Sequence, residues 1–256
     1  QDEAALQVVS VRAHMDAGSH AEALRVGEEA LARFRAVGDR AHEAAVLHVL
    51  AKAHLAQKEP ERAAQVASEA LRVHKDMGDK TAEKAMVQTV VSAELMREDA
   101  GKAMETAKEA VERFRQDDDK TNEAVALQTV AKTHIAKKEY FRAAREAKNA
   151  QRILRQLGDT EGEVAMMRTA VEAHLSRPEK EGKEDALQTV LDALEAFREA
   201  ENVRGEAMAL HELALVYVLK GEPEAAVNVV QDAMALFREV GDRRRELGVV
   251  RAVVNL

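Results

Sequence analysis

The 256-residue chain has no cysteine and no tryptophan, and only three prolines, twelve glycines, two tyrosines and five phenylalanines. Without cysteine there can be no disulfide, thiolate metal site or cysteine nucleophile. So little proline, glycine and aromatic residue argues against sandwiches, barrels and doubly wound sheets, which draw on turn formers and β-formers. No run of about 18 uncharged apolar residues occurs, so no membrane-spanning helix is expected. Nothing like a secretory signal follows Gln1, and the chain reads as a piece of a longer protein. The lack of cysteine does not locate the protein, and an intracellular setting is the expectation.

What remains is rich in Ala, Val, Leu, Glu, Lys and Arg, the composition of an almost wholly helical chain. Its 46% hydrophobic share supplies a core, and its 33% charged share supplies a wetted surface. The net charge of −8 argues against nucleic acid as the main partner, because phosphate binding needs clustered Lys and Arg.

A repeat organises the chain. VGDR ending at Arg40, MGDK at Lys80, DDDK at Lys120, LGDT at Thr160 and VGDR at Arg243 recur, with EAENV near Asn202 in the remaining place. The period is 40 residues, once stretched to 43. It divides the chain into a partial repeat 1–37, full repeats 38–77, 78–117, 118–157, 158–200 and 201–240, and a partial repeat 241–256.

Each repeat reads as two amphipathic helices, A then B. Leu47, Leu50, Ala51 and His54 share one face, and Ala63, Ala67, Ala70, Leu71 and His74 another. Pro60, Pro178 and Pro223 fall in A-to-B turns, where proline fits the first turn of a helix. Gly38, Gly78, Gly158 and Gly241 suit left-handed helix ends, and the aspartates that follow suit N-caps. Asp118 replaces one of these glycines, so a different turn is expected there. SRPEKEGKEDA carries the three extra residues and predicts a longer exposed A-to-B loop.

Leu47, Leu50, Ala51, His54, Ala63 and Ala70 fall at the spacing of the tetratricopeptide repeat. So do Leu127, Val130, Ala131, His134, Ala143 and Ala150, and Leu210, Leu213, Ala214, Tyr217, Ala226 and Ala233. The chain resembles that family in a 40-residue form, similar to the repeats of Pins/LGN-type adaptors and of some bacterial transcriptional regulators. Those adaptors' Leu-Gly-Asn signature is replaced by LAKAH, VVSAE, VAKTH, AVEAH and LALVY. The resemblance implies an all-α, right-handed α-α superhelix of about 13 helices, with helix A on the concave wall and a protein or peptide partner.

In that frame, one helix A row is Val8, His48, Gln88, Gln128, Arg168, His211 and Arg251, and the next is Arg12, Lys52, Ser92, Lys132, Glu172, Leu215 and Asn255. Five formal positive charges and one negative give these rows +4 in a chain of −8. That contrast predicts an acidic or amphipathic peptide held on the concave face. The flanking row Met15, Leu55, Leu95, Ile135, Leu175 and Val218 is apolar and expected to pack between helices.

His14, His54, His134 and His174 share one repeat position. Helices about 8–10 Å apart cannot bring such residues onto one ion, so they read as packing residues and no metal is expected. Phe34, Phe114, Phe197 and Phe237 also recur, as core knobs between repeats. No phosphate loop, H-E-x-x-H or G-x-S-x-G motif occurs, so neither catalysis nor a cofactor is expected. The expected role is a non-catalytic interaction scaffold or adaptor, with a structural subunit contacted through its outer face or ends, or the sensor arm of a larger regulator, as the alternatives. Oligomeric state is open as well.

Overall fold

A computed structural model describes residues 2–178 and 180–254, with side chains described for residues 3–178 and 180–249. Among the described residues there are thirteen α-helices and no strand: α1 (Asp2–Asp16), α2 (His20–Val37), α3 (Arg40–Ala56), α4 (Pro60–Met77), α5 (Lys80–Met96), α6 (Ala100–Gln116), α7 (Lys120–Ala136), α8 (Tyr140–Gln156), α9 (Thr160–Leu175), α10 (Lys180–Glu199), α11 (Val203–Lys220), α12 (Pro223–Glu239) and α13 (Arg243–Val254). Odd-numbered helices are the A helices and even-numbered ones the B helices. The chain divides into two compact units, Gln1–Thr129 and Val130–Leu256, with the division inside α7.

The B-to-A junctions follow from their polar residues. In each, an N–H two or three residues past the B helix donates back to a carbonyl in its last turn, as from Asp39 to Phe34 (2.9 Å) and from Asp79 to His74 (3.0 Å). The same residue then caps the next helix. Asp39 accepts from the His42 N–H, Asp79 from Ala82, Asp119 from Asn122, Asp159 from Gly162, Asn202 from Gly205 and Asp242 from Arg245. Loss of one such cap costs about 1 kcal/mol.

Two turn expectations need correcting. Asp118 takes φ +54° and closes the same turn as the glycines, with the Asp119 N–H 2.9 Å from the Phe114 carbonyl. A short polar side chain tolerates the left-handed region, and the surrounding capping bonds hold it there. Lys58, Glu98 and Lys138 do the same in A-to-B turns, at φ near +60°. The three-residue insertion goes mainly into helix: α10 has 20 residues, whereas the other B helices have 17 or 18. Residues 180–182 extend the B helix by about one turn because its apolar periodicity starts early enough to bury Gly182 ahead of Ala186.

In each unit the core lies between the helix layers. Alanines on B helices, such as Ala63, Ala67 and Ala70 or Ala143, Ala147 and Ala150, are fully buried and let neighbouring helices approach closely. Phe34, Phe114, Phe197 and Phe237 are buried near the B-helix ends, with Leu154 and His74 at the equivalent places. Burying each such ring contributes about 2–3 kcal/mol.

Successive A helices touch: α1 packs on α3 and α3 on α5 in the first unit, and α9 on α11 and α11 on α13 in the second. Within either unit no two B helices pack this closely among the described residues. In the first unit long ion pairs bridge them instead, Arg35 to Glu69 and Lys75 to Glu109, both at 2.6 Å. The A side is therefore the tighter side of each unit.

Candidate functional site

The two rows separate by depth. His48, Gln88, Gln128 and His211 are half-buried and Val8 is buried, whereas Arg168 is exposed. In the second row Arg12, Lys52, Ser92, Lys132 and Glu172 are exposed and Leu215 is half-buried. The side chains of Arg251 and Asn255 lie outside the described residues.

The first unit brings three of the expected residues together. Arg12 and Asp16 on α1 and His48 and Lys52 on α3 surround an apolar floor of Met15 and Val49, enclosing about 280 Å³. Helical spacing explains the set: residues 12, 15 and 16 share a face of α1, and residues 48, 49 and 52 share a face of α3. Arg12 and Lys52 form no ion pair with any described residue.

His48 stands with its ring edge-on to His74, centroids 6.4 Å apart. Burial lowers its pKa to about 4, helped by the nearby Lys52, His74 and Arg12. At neutral pH His48 is therefore uncharged. The pocket offers two cations, one carboxylate and one neutral imidazole.

The other row members serve the fold more visibly. The Ser92 hydroxyl donates to the Gln88 carbonyl at 2.8 Å, a bond inside its own helix. In the second unit Arg168 Nε on α9 lies 2.5 Å from Glu212 Oε1 on α11. Glu212 belongs to neither predicted row, yet its nearly buried carboxylate balances Arg168, so the +4 sum overstates the free charge of this face. His211, beside this pair, is also shifted down by burial.

Two of the four recurring histidines hold turns together. His54 Nδ1 lies 2.7 Å from Glu59, and His134 Nδ1 2.6 Å from Glu139, joining the end of helix A to the start of helix B. The His134 contact holds the Glu139 carboxyl below its ordinary range. Glu94 puts a carboxylate at the same repeat position, buried between Arg97 (2.8 Å) and Lys102 (3.0 Å). No group of three or more His, Asp or Glu among the described residues could hold a metal ion. No described helix is long and apolar enough to cross a membrane.

A second recurring clamp escaped the sequence reading. Arg35–Glu43, Arg115–Glu123, Arg155–Glu163, Arg198–Glu206 and Arg238–Glu246 pair across the B-to-A turns at 2.6–3.2 Å. Their constant eight-residue separation was visible, but only the reversal of the chain at the turn brings the partners together.

The tetratricopeptide repeat family model matches residues 2–76. Among curated proteins no sequence matches. Solved structures match in fold. A Signal Transduction ATPase with Numerous Domains from Pyrococcus horikoshii, with a tetratricopeptide repeat sensor, is 14% identical at a TM-score of 0.65. That match covers 96% of this chain but only 38% of the other. The apo form of RapI is 12% identical at 0.64, covering 99% of this chain and 97% of its own. NprR in complex with its cognate peptide NprX is 13% identical at 0.50, covering 99% and 72%. The helix pairs of both units share these turns and caps: the chain matches the tetratricopeptide repeat family by sequence over residues 2–76 and is similar in fold to tetratricopeptide repeat structures over nearly all its length.

Proposed function

We propose that this chain is a non-catalytic interaction module that holds an acidic or amphipathic polypeptide segment on its A-helix face. The observation that carries this reading is the pocket of the first unit, where Arg12 and Lys52 stand without ion-pair partners above Met15 and Val49. Two unpaired cations over an apolar floor fit a carboxylate beside an apolar side chain. Neutral His48 adds a hydrogen-bonding group without adding charge. Gln88, Ser92 and Gln128 add polar groups on the A helices of the first unit, and Lys132, Arg168, Glu172 and His211 do so on those of the second. NprR, a fold relative, is described with a bound peptide, which supports a polypeptide ligand.

The test is fluorescence anisotropy with a labelled acidic peptide. Arg12→Glu with Lys52→Glu should weaken binding at least about tenfold, and unchanged affinity would overturn the pocket as the site. A second reading makes the array the sensor arm of a larger regulator. It is favoured by the Pyrococcus horikoshii protein, which carries a tetratricopeptide repeat sensor and of which this chain covers 38%. Peptide-dependent activity of an attached domain in the full-length protein would support it, and an attached domain indifferent to peptide would count against it.

A further inference from the structure

The second unit carries a surface that the A-helix face does not explain. Helix α8 holds five basic residues and one acidic residue in a chain whose net charge is −8. Arg145, Lys148, Arg152 and Arg155 are all exposed. With Phe141 they follow steps of four, three, four and three, which places all five within about 80° of one helix face. The row is about 21 Å long at the helical rise per residue.

Phe141 sharpens the reading. Four of the five phenylalanines are buried at the recurring core position, whereas Phe141 is 67% exposed. The guanidinium of Arg177 lies 4.3 Å from its ring centroid, and Tyr140, Phe141 and Pro178 line a surface hollow there. At the other end, Lys148, Arg152 and Arg155 form one wall of a groove whose other wall is α10, with Thr189, Asp192 and Ala193. Arg145 pairs with Glu146 and Arg155 with Glu163, but Lys148 and Arg152 have no ion-pair partner among the described residues. The groove is open because B helices do not pack on one another as A helices do.

We propose that the row Phe141, Arg145, Lys148, Arg152 and Arg155 is a docking surface for an acidic amphipathic helix of a partner protein, separate from the A-helix face. Carboxylates on one side of such a helix would meet Lys148 and Arg152, and an apolar side chain would cover Phe141. The acidic far wall favours a polypeptide over nucleic acid. Asp192, Glu195 and Glu199 are exposed at steps of three and four along α10. A duplex with one phosphate charge per about 1.7 Å would have to run beside them, whereas a peptide can keep its carboxylates on the α8 side.

The experiment uses the whole chain carrying Arg12→Glu and Lys52→Glu, which silences the A-helix pocket. The probe is a fluorescein-labelled Glu- and Leu-containing helical peptide of about sixteen residues, long enough to span the row. Its binding should weaken about tenfold or more when Lys148→Glu and Arg152→Glu are added, and at least about threefold with Phe141→Ser. It should also fall steeply between about 0.05 and 0.3 M salt. All four charge sites are exposed, so circular dichroism should not change. No binding in the silenced background, binding indifferent to the α8 substitutions, or tighter binding of a duplex DNA of about 20 base pairs would each overturn the proposal. Loss of binding from the A-helix substitutions alone would support the pocket and reject this row.

Discussion

Arg168 Nε sits 2.5 Å from Glu212 Oε1, joining two A helices of the second unit across their line of contact. The guanidinium is about half exposed, whereas the carboxylate is only 10% exposed, so the two partners do not matter equally to stability. Arg168→Ala leaves a nearly buried carboxylate without its cation and should cost about 1–3 kcal/mol. Glu212→Gln leaves only an exposed guanidinium and should cost less. Urea unfolding midpoints of the two variants test this, and the reverse order would refute it.

Glu83 presents a harder case because it is fully buried. Arg113 approaches it at 2.8 Å, as an ion contact whose N–H is not aligned for a hydrogen bond. Arg113→Met should therefore destabilise by about 3 kcal/mol, since it strands a buried charge. Adding Glu83→Gln to Arg113→Met should recover part of that loss. A pair of thermal melts would show it, and no recovery would mean that Arg113 acts through packing alone.

The left-handed residue Asp118 stands where the other repeats with this motif have glycine. Asp118→Gly should relieve left-handed strain and raise stability by about 1 kcal/mol. Gly38→Ala, at φ +71°, should lower it by a similar amount. Chemical unfolding of both variants is the check, with opposite signs required.

His48 predicts a pH dependence. Its pKa in the fold is about 4 against an ordinary value of 6.5, so between these limits the unfolded chain binds more protons. Stability is then complete above about pH 6.5 and falls as pH drops toward 4, by up to about 3 kcal/mol from this group. Burial shifts His174 and His211 in the same direction. His48→Gln should flatten the slope of the melting temperature between pH 6.5 and 4, and an unaltered slope would show that His48 stays solvated.

How far the sequence carried the fold can be judged residue by residue. Gly38 followed by Asp39 announced a helix end and a helix start because each type suits one backbone position. Lys58, Glu98 and Lys138 gave no such signal: they enter the left-handed region under the surrounding turn's hydrogen bonds. The pocket was partly legible, since Arg12, His48 and Lys52 follow from helical spacing within a 40-residue frame. Asp16 and Val49 entered only when α1 was set against α3.

The amino-acid order by itself determined the repeat period, the helix pairs, their caps and the apolar face each pair buries, because these depend on contacts within a few residues. The tertiary structure decided which charges remain available. Glu212 balances Arg168 from 44 residues away, while Arg12 and Lys52 meet across two helices without forming an ion pair, although Asp16 lines the same pocket. Coulomb forces act through space, so residue spacing along one helix cannot reveal which charge a neighbouring helix will set against it.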